Sequence, residues 1–429
     1  MRSTISTLTG KAIRRAARLR GGGSALPGLV VERIDPHFMR RTLEKLPHGV
    51  VVISGTNGKT TTTKIVAALL RSQGLKVFTN PTGSNFTRGV TASLIDKVDR
   101  QGQLDADIAV LELDEAHAVH FVRSVAPSYC LLLNVMRDQL DRFGEIDTTA
   151  AMLHKVAQRT TDGIVINQND PRLNSERFMQ ELNASQITGF GVSDKLQSIL
   201  PSDDEMRGKP KATRSRPQIA DATELTSVEG QAITLRFANH SYQVPLQLKG
   251  IYNQQNAAGA VALVRLIIGD KLQIGAMLTA LSEVTPAFGR GETITADGQE
   301  VELVLVKNPS GFRLSLASYA PDDADIMIAI NDQFADGRDM SWLWDVEFDS
   351  LRTHGVRTVT GVRAYDMALR LQYDLVEIGD VITSREKALQ HFMQGTSRRK
   401  RIYCSYTAML ELRRGLGAKK AVEEDKANE

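Results

Sequence analysis

The chain alternates short apolar runs with stretches whose apolar residues recur every three or four positions. Val50-Val51-Val52-Ile53 is β-branched throughout and reads as a buried parallel strand. Beyond it Ile65, Val66, Leu69 and Leu70 fall on one helical face, with polar residues between them. Lys76–Thr79, Asp107–Leu113 and Tyr129–Val135 repeat the strand pattern, separated by helical ones. Such alternation predicts an α/β fold with a parallel sheet and ligands at the carboxyl ends of its strands. A second α/β stretch opens near Thr161, with a strand at Gly163–Asn167 and a turn at Asn169-Asp170-Pro171. Sheet-like sequence returns at Ile233–Phe237, and an Ala- and Leu-rich helix is expected from Asn256 to Ile268. A third stretch starts near Pro286, with strands expected at Val301–Val306, Ile326–Ile330, Thr358–Thr360 and Arg401–Cys404.

Composition refines this picture. A chain of 429 residues exceeds one ordinary core and implies two to four domains. The reading is a basic helix and lead-in over 1–48, a phosphate-binding domain over 49–285, and a further α/β domain over 286–429. Between Asp194 and Asp221 the sequence turns to Pro, Ser, Lys, Arg and acids, which predicts a variable loop-like insert. The tail after Gly417 is charged and expected to fray.

The net charge of +3 is too small to argue for a nucleic-acid partner. Cys130 and Cys404 are far apart and have no metal-ligand spacing; they read as buried thiols of a cytoplasmic protein. No run is long and apolar enough to span a bilayer. Six cations (Arg2, Lys11, Arg14, Arg15, Arg18 and Arg20) precede Glu32, the first acid. No uninterrupted apolar core follows them, which argues against a secretory signal, although an organellar transit peptide would share this composition. The helix either packs on the first domain or lies near anionic lipid at the inner face of a membrane.

The candidate chemistry begins at Ser54-Gly55-Thr56-Asn57-Gly58-Lys59-Thr60-Thr61-Thr62, between the first strand and the first helix. Gly55 and Gly58 permit a tight turn and close backbone approach, and the helix start offers N–H groups to an anion. Lys59 supplies a charge for the outer phosphates and Thr60 a hydroxyl for Mg²⁺. A general phosphate-loop pattern wants glycine where Ile53 stands, so the shorter Gly-Thr-Asn-Gly-Lys-Thr form fits better.

That stretch resembles the ATP motif of the Mur ligases and their folylpolyglutamate synthetase relatives. Arg137-Asp138-Gln139-Leu140-Asp141-Arg142 is similar to the family's Asp-His-Leu-Asp segment, with Gln139 in place of histidine. Gly250-Ile251-Tyr252-Asn253-Gln254-Gln255-Asn256-Ala257-Ala258 matches the stretch whose second Asn contacts adenine, and Gly289-Arg290-Gly291-Glu292 the one whose arginine reaches the ATP phosphates. Thr82–Gly89, Lys307–Gly311, Asn331–Asp345, Arg363–Arg370 and Tyr406–Leu410 look like the MurT branch.

The resemblance implies a Mur ligase-like fold: a central P-loop NTPase-type parallel sheet domain and a C-terminal Rossmann-like α/β domain. It also implies ATP- and Mg²⁺-dependent amidation of the D-glutamate α-carboxyl of lipid II through an acyl phosphate. Ammonia would come from a GatD-type glutaminase partner contacting the C-terminal domain. The rivals are an amino-acid-adding or folylpolyglutamate-type ligase, and a nucleotide-dependent scaffold. Many MurT proteins carry a four-cysteine zinc ribbon, but no Cys stands between Cys130 and Cys404, so no structural zinc is expected.

Nucleotide binding is assigned to Gly55, Thr56, Asn57, Gly58, Lys59, Thr60, Thr61, Asn85, Asn256 and Arg290, and Mg²⁺ to Thr60 and Glu112. Asp114 and Glu115 are alternatives to Glu112, and Asn256 is also expected to cap its helix. Asp339 or Asp345, bracketing Trp342 and Trp344, would complete the partner's Cys-His site. Lys155 reads as a helix-surface lysine, and His117, His120 and His154 as packing residues.

Overall fold

The computed structural model describes residues 2–19, 26–80, 85–138, 146–197, 200, 219, 221–286, 290–319, 324–395 and 399–417. Most of the insert, the tail beyond 417 and the motif residues Thr82–Ser84, Gln139–Arg142 and Gly289 lie outside them. The chain forms two compact units. The first comprises 1–136, 145–247 and 252–284; the second comprises 137–144, 248–251 and 285–429.

The first unit is built on nine strands: β1 Val50–Ser54, β2 Val77–Thr79, β3 Ile108–Glu112, β4 Tyr129–Leu132, β5 Gly163–Asn167, β6 Ile187–Val192, β7 Ala222–Glu229, β8 Ala232–Phe237 and β9 His240–Pro245. Their order is β2-β3-β1-β4-β5-β6-β7-β8-β9. From β2 to β7 every neighbour is parallel. β1, β3 and β5 are buried along their whole length, as apolar runs covered on both faces must be.

A wholly parallel sheet is not what forms, because β8 and β9 run antiparallel. Two-residue turns, Gly230-Gln231 and Ala238-Asn239, join β7 to β8 and β8 to β9, too short for a crossover. The helix expected at Asn256 begins earlier, spanning Ile251–Ile268. It is buried on nearly all sides, so it lacks the amphipathic stripe that would mark its ends.

Ahead of β1, the basic helix Arg2–Leu19 packs on the helices Leu26–Ile34 and Thr87–Lys97. Gly10 allows this approach: a Cβ there would lie 2.9 Å from Val31 and 3.0 Å from Ile95. Ser6 donates to Asp35 at 2.8 Å, Lys11 Nζ to the Val98 carbonyl at 2.6 Å, and Arg14 pairs with Asp96.

The second unit holds β10 Arg290–Ala296, β11 Gln299–Leu305, β12 Asp325–Ala329, β13 Val356–Thr360, β14 Ile378–Ile382 and β15 Arg399–Cys404, ordered β10-β11-β15-β12-β13-β14. Only the β10–β11 hairpin is antiparallel; the rest form a Rossmann-like sheet with an apolar cluster on each face. The last strand lies between β11 and β12, which creates a topological switch point at their carboxyl ends. Both cysteines are fully buried, one in each unit.

Candidate active site

β1 carries the chain from the sheet interior to the glycine turn. Gly55 and Gly58 hold φ of 134° and 90°, backbone regions that suit glycine. The helix Lys59–Ser72 starts there, and its first internal bond runs from Thr62 N to Gly58 O at 2.9 Å. The N–H groups of its opening turn therefore have no acceptor inside the helix, an arrangement suited to phosphate.

Side chains brace the turn from the segment after β4. Asn57 N donates to Asn134 Oδ1 at 2.9 Å, and Asn134 Nδ2 donates back to Asn57 O at 3.0 Å. Thr56 Oγ1 exchanges bonds with the Met136 backbone, 3.1 Å to its carbonyl and 3.0 Å from its N–H. Asp170 supports this segment by accepting from Val135 N at 2.7 Å. Burial pushes the Asp170 carboxyl up, and the N–H groups of Val135, Leu173 and Arg172 oppose that shift.

The charged residues converge on the same place. Thr60 Oγ1 donates to Glu112 Oε1 at 2.8 Å, joining the helix start to the end of β3. Lys59 Nζ donates to Gly55 O at 2.5 Å and lies 3.5 Å from Glu115 Oε2, with both side chains buried. Asn80 fixes Glu112 through two backbone bonds, each 2.9 Å. The Thr60 hydroxyl and the Glu112 carboxylate it meets are oxygen donors of the kind Mg²⁺ takes, although among the described residues no three acidic, His or Cys side chains gather as a metal set. Asn85 reaches the cluster through its carbonyl, which accepts from Asp114 N at 3.1 Å.

Asn256 belongs to this site but not as a cap, since it lies in the second turn of its helix. It is buried, and a Cβ on Gly58 would stand 2.3 Å from its Nδ2. Its amide thus touches the glycine turn itself. Tyr252, one turn earlier, has its phenol pushed up by burial, and its hydroxyl has no hydrogen-bond partner among the described residues.

The first unit also holds a cavity of about 590 Å³, lined among others by Glu32, Phe38, Phe86, Arg88, His117 and His120. The helix Glu115–Ser124 offers Glu115 to Lys59 and both histidines to this cavity. Burial raises the Glu32 carboxyl, against the charge of Arg88 at 3.5 Å. His154 Nδ1 bonds the Phe178 carbonyl at 2.9 Å, and Lys155 is exposed on its helix.

The remaining candidates belong to the second unit. Arg290 opens β10 opposite Val304, and its side chain lies outside the described residues. Asp339 accepts from Ser341 N at 2.9 Å; the Ser341 hydroxyl and N–H hold its carboxyl below the usual range. Asp339 thus sits just ahead of the turn Ser341–Asp345, at whose end Asp345 sits half-buried. Trp342 is buried near Phe312, whereas Trp344 is exposed and meets Tyr373 edge-on at 5.1 Å. Asn80 and Asn134 belong to no motif, so pattern reading passes over them; the usable signal was a lone amide just beyond an apolar strand.

Fold and phosphate turn define the class. Residues 53–264 match the Mur ligase middle domain, and the MurF ligase of Thermotoga maritima, solved in complex with ADP, shares the fold. That likeness has a TM-score of 0.64 at 15% identity over 92% of this chain and 85% of the other. The chain is an ATP-dependent ligase of the Mur type. Within that class it belongs with the MurT proteins, since residues 305–409 match the MurT ligase C-terminal domain. It is 29% identical to the "Lipid II isoglutaminyl synthase (glutamine-hydrolyzing) subunit MurT" of Streptococcus pneumoniae (strain ATCC BAA-255 / R6), over 99% of both chains. The same subunit of Staphylococcus aureus (strain COL) is 27% identical over 89% of this chain and 90% of that one.

Proposed function

We propose that the chain amidates the D-glutamate α-carboxyl of the stem peptide on lipid II, spending ATP and taking ammonia from a GatD-type glutaminase. The observation that carries this reading is the buried Lys59–Thr60–Glu112–Glu115 cluster at the glycine turn, in a chain similar to MurT subunits along its length. A carboxylate is a poor electrophile, and transfer of the terminal phosphoryl group of ATP to it gives an acyl phosphate with a good leaving group. Ammonia then forms the C–N bond as the C–O bond to phosphate breaks.

The protein contributes position and charge. Lys59 and the helix start offset charge on the phosphates, and Asn256 contacts adenine. Mg²⁺ would sit on Thr60 and Glu112, where it would neutralise phosphate charge. The cavity beside His117 and Arg88 has room for the peptide carboxyl, with Arg88 as its cation.

Ammonia must come from elsewhere. Burial pushes Cys130 up to about 12 and Cys404 higher still, so neither thiol yields the thiolate a glutaminase needs. The second unit carries a surface suited to a partner: Tyr365, Leu369 and Tyr373 recur along the helix Ala364–Tyr373 at 70%, 48% and 69% exposure. Trp344 extends it through Tyr373, next to Asp345, our choice for the residue completing the partner's site.

The test is mass analysis of lipid II stem peptide after incubation with ATP, ¹⁵N-glutamine and the copurified glutaminase. One ¹⁵N amide on D-glutamate is expected, and ammonia should replace glutamine when the partner is absent. Addition of an amino acid instead would select a Mur-type ligase and end this reading.

A further inference from the structure

The exposed large hydrophobic residues of the first unit are confined to one place. Among its described residues they are Leu8, Leu26 and Ile34, at 50%, 49% and 53% exposure, all within the first 34 positions of a unit that runs to 284. Leu8 shares its outward face with exposed Ala12, Arg15 and Ala16; Leu26 and Ile34 share theirs with exposed Arg33. The two helices bearing them, Arg2–Leu19 and Leu26–Ile34, pack on each other.

Charge on this layer is one-sided. The acids within reach are already engaged: Asp96 by Arg14, Asp35 by Arg41 and Glu32 by Arg88. Arg15 and Arg33 have no acidic partner among the described residues, and six cations precede the first acid in the sequence. Outward leucine and isoleucine interleaved with uncompensated arginine is the chemistry of a helix lying at an anionic bilayer interface.

We propose that this two-helix layer docks on the surface of an anionic membrane. Apolar side chains would enter the headgroup boundary while the arginines meet lipid phosphates. Protein docking is the less favoured occupant, because the aromatic surface suited to it lies in the second unit. Glu32, Asp35 and Pro36, at the end of the second helix, line the cavity shared with Arg88, His117 and His120, so docking would bring that cavity to the membrane. The proposal extends the lipid-linked acceptor reading, but its test contains no acceptor.

The full chain is sedimented with vesicles of neutral phosphatidylcholine and with vesicles in which about a third of the lipid is phosphatidylglycerol. Binding to the anionic vesicles should be about tenfold tighter or more, and should fall as salt rises. Arg15→Glu with Arg33→Glu should cost about tenfold in vesicle binding, and Leu8→Asn with Leu26→Asn and Ile34→Asn a similar factor. Melting temperature and ATP hydrolysis should be unchanged in both sets, since all these side chains are exposed. Equal binding to both vesicle types, or variants that bind like the unmodified chain, would overturn the proposal. So would variants that keep vesicle binding but lose the glutaminase subunit. If vesicles bind as expected but no amide forms on lipid II, the acceptor reading fails and this one stands.

Discussion

Gly58 is the residue where backbone and side-chain demands meet most tightly. Its φ of 90° strains any L side chain, and a Cβ there would press on Asn256 Nδ2. Gly58→Ala is expected to cost about 2 kcal/mol in denaturant unfolding and about tenfold or more in ATP affinity by calorimetry. Adding Asn256→Ala should restore part of the stability and none of the affinity, because the clash is relieved while the adenine contact proposed for Asn256 is lost. Lys59 raises a second point at this scale. Its ammonium group is bonded to the turn's own carbonyls and faces Glu115, so it must reorient to meet a phosphate. Glu112→Gln removes the carboxylate bonded to Thr60, and kcat for ATP-dependent amidation should fall by about 100-fold with little change in melting temperature.

At the scale of elements, the N-terminal helix is tied to the first unit through Asp35, which accepts from Ser6 and Arg41. Burial alone would raise the Asp35 carboxyl, but the bonds from Arg41 and Ser6, with the Arg41 charge, hold it below its usual range. A folded pKa below the unfolded one gives stabilisation that is complete above about pH 4 and lost as pH falls through the folded value. Asp35→Asn is therefore expected to lower stability by about 1 kcal/mol at pH 7, and the two unfolding curves should converge once pH falls below the folded value of Asp35.

The same scale explains how much of the molecule was legible. β1, β3 and β5 are apolar runs buried on both faces, and the helix Lys59–Ser72 has a clear apolar stripe, so all four are visible in the chain itself. The glycine turn is legible because its geometry demands particular residues at fixed spacing. The start of Ile251–Ile268 is not, since burial on nearly all sides erases its periodicity. β8 and β9 carry the sheet into antiparallel pairing through turns that lack the usual Asn-Gly or Asp-Gly signal. Asn134 and Asn80 bond backbone groups dozens of residues away, a relation that exists in three dimensions alone.

At the scale of the whole molecule, two compact units with separate cores should unfold as separate steps. Scanning calorimetry is expected to resolve two transitions. A nonhydrolysable ATP analogue with Mg²⁺ should raise the one belonging to the first unit, by about 2–3 kcal/mol at a hundredfold excess over Kd. A single transition, or an equal shift of both, would mean the units do not fold independently.

In the proposed reaction the terminal phosphoryl group of ATP is handed to the acceptor's carboxylate. The most direct measurement uses stem peptide carrying ¹⁸O in the D-glutamate α-carboxyl, with ATP and ammonia, followed by mass analysis of the inorganic phosphate released. One ¹⁸O in the phosphate is expected for each amide formed. Unlabelled phosphate accompanying amide formation would contradict that transfer.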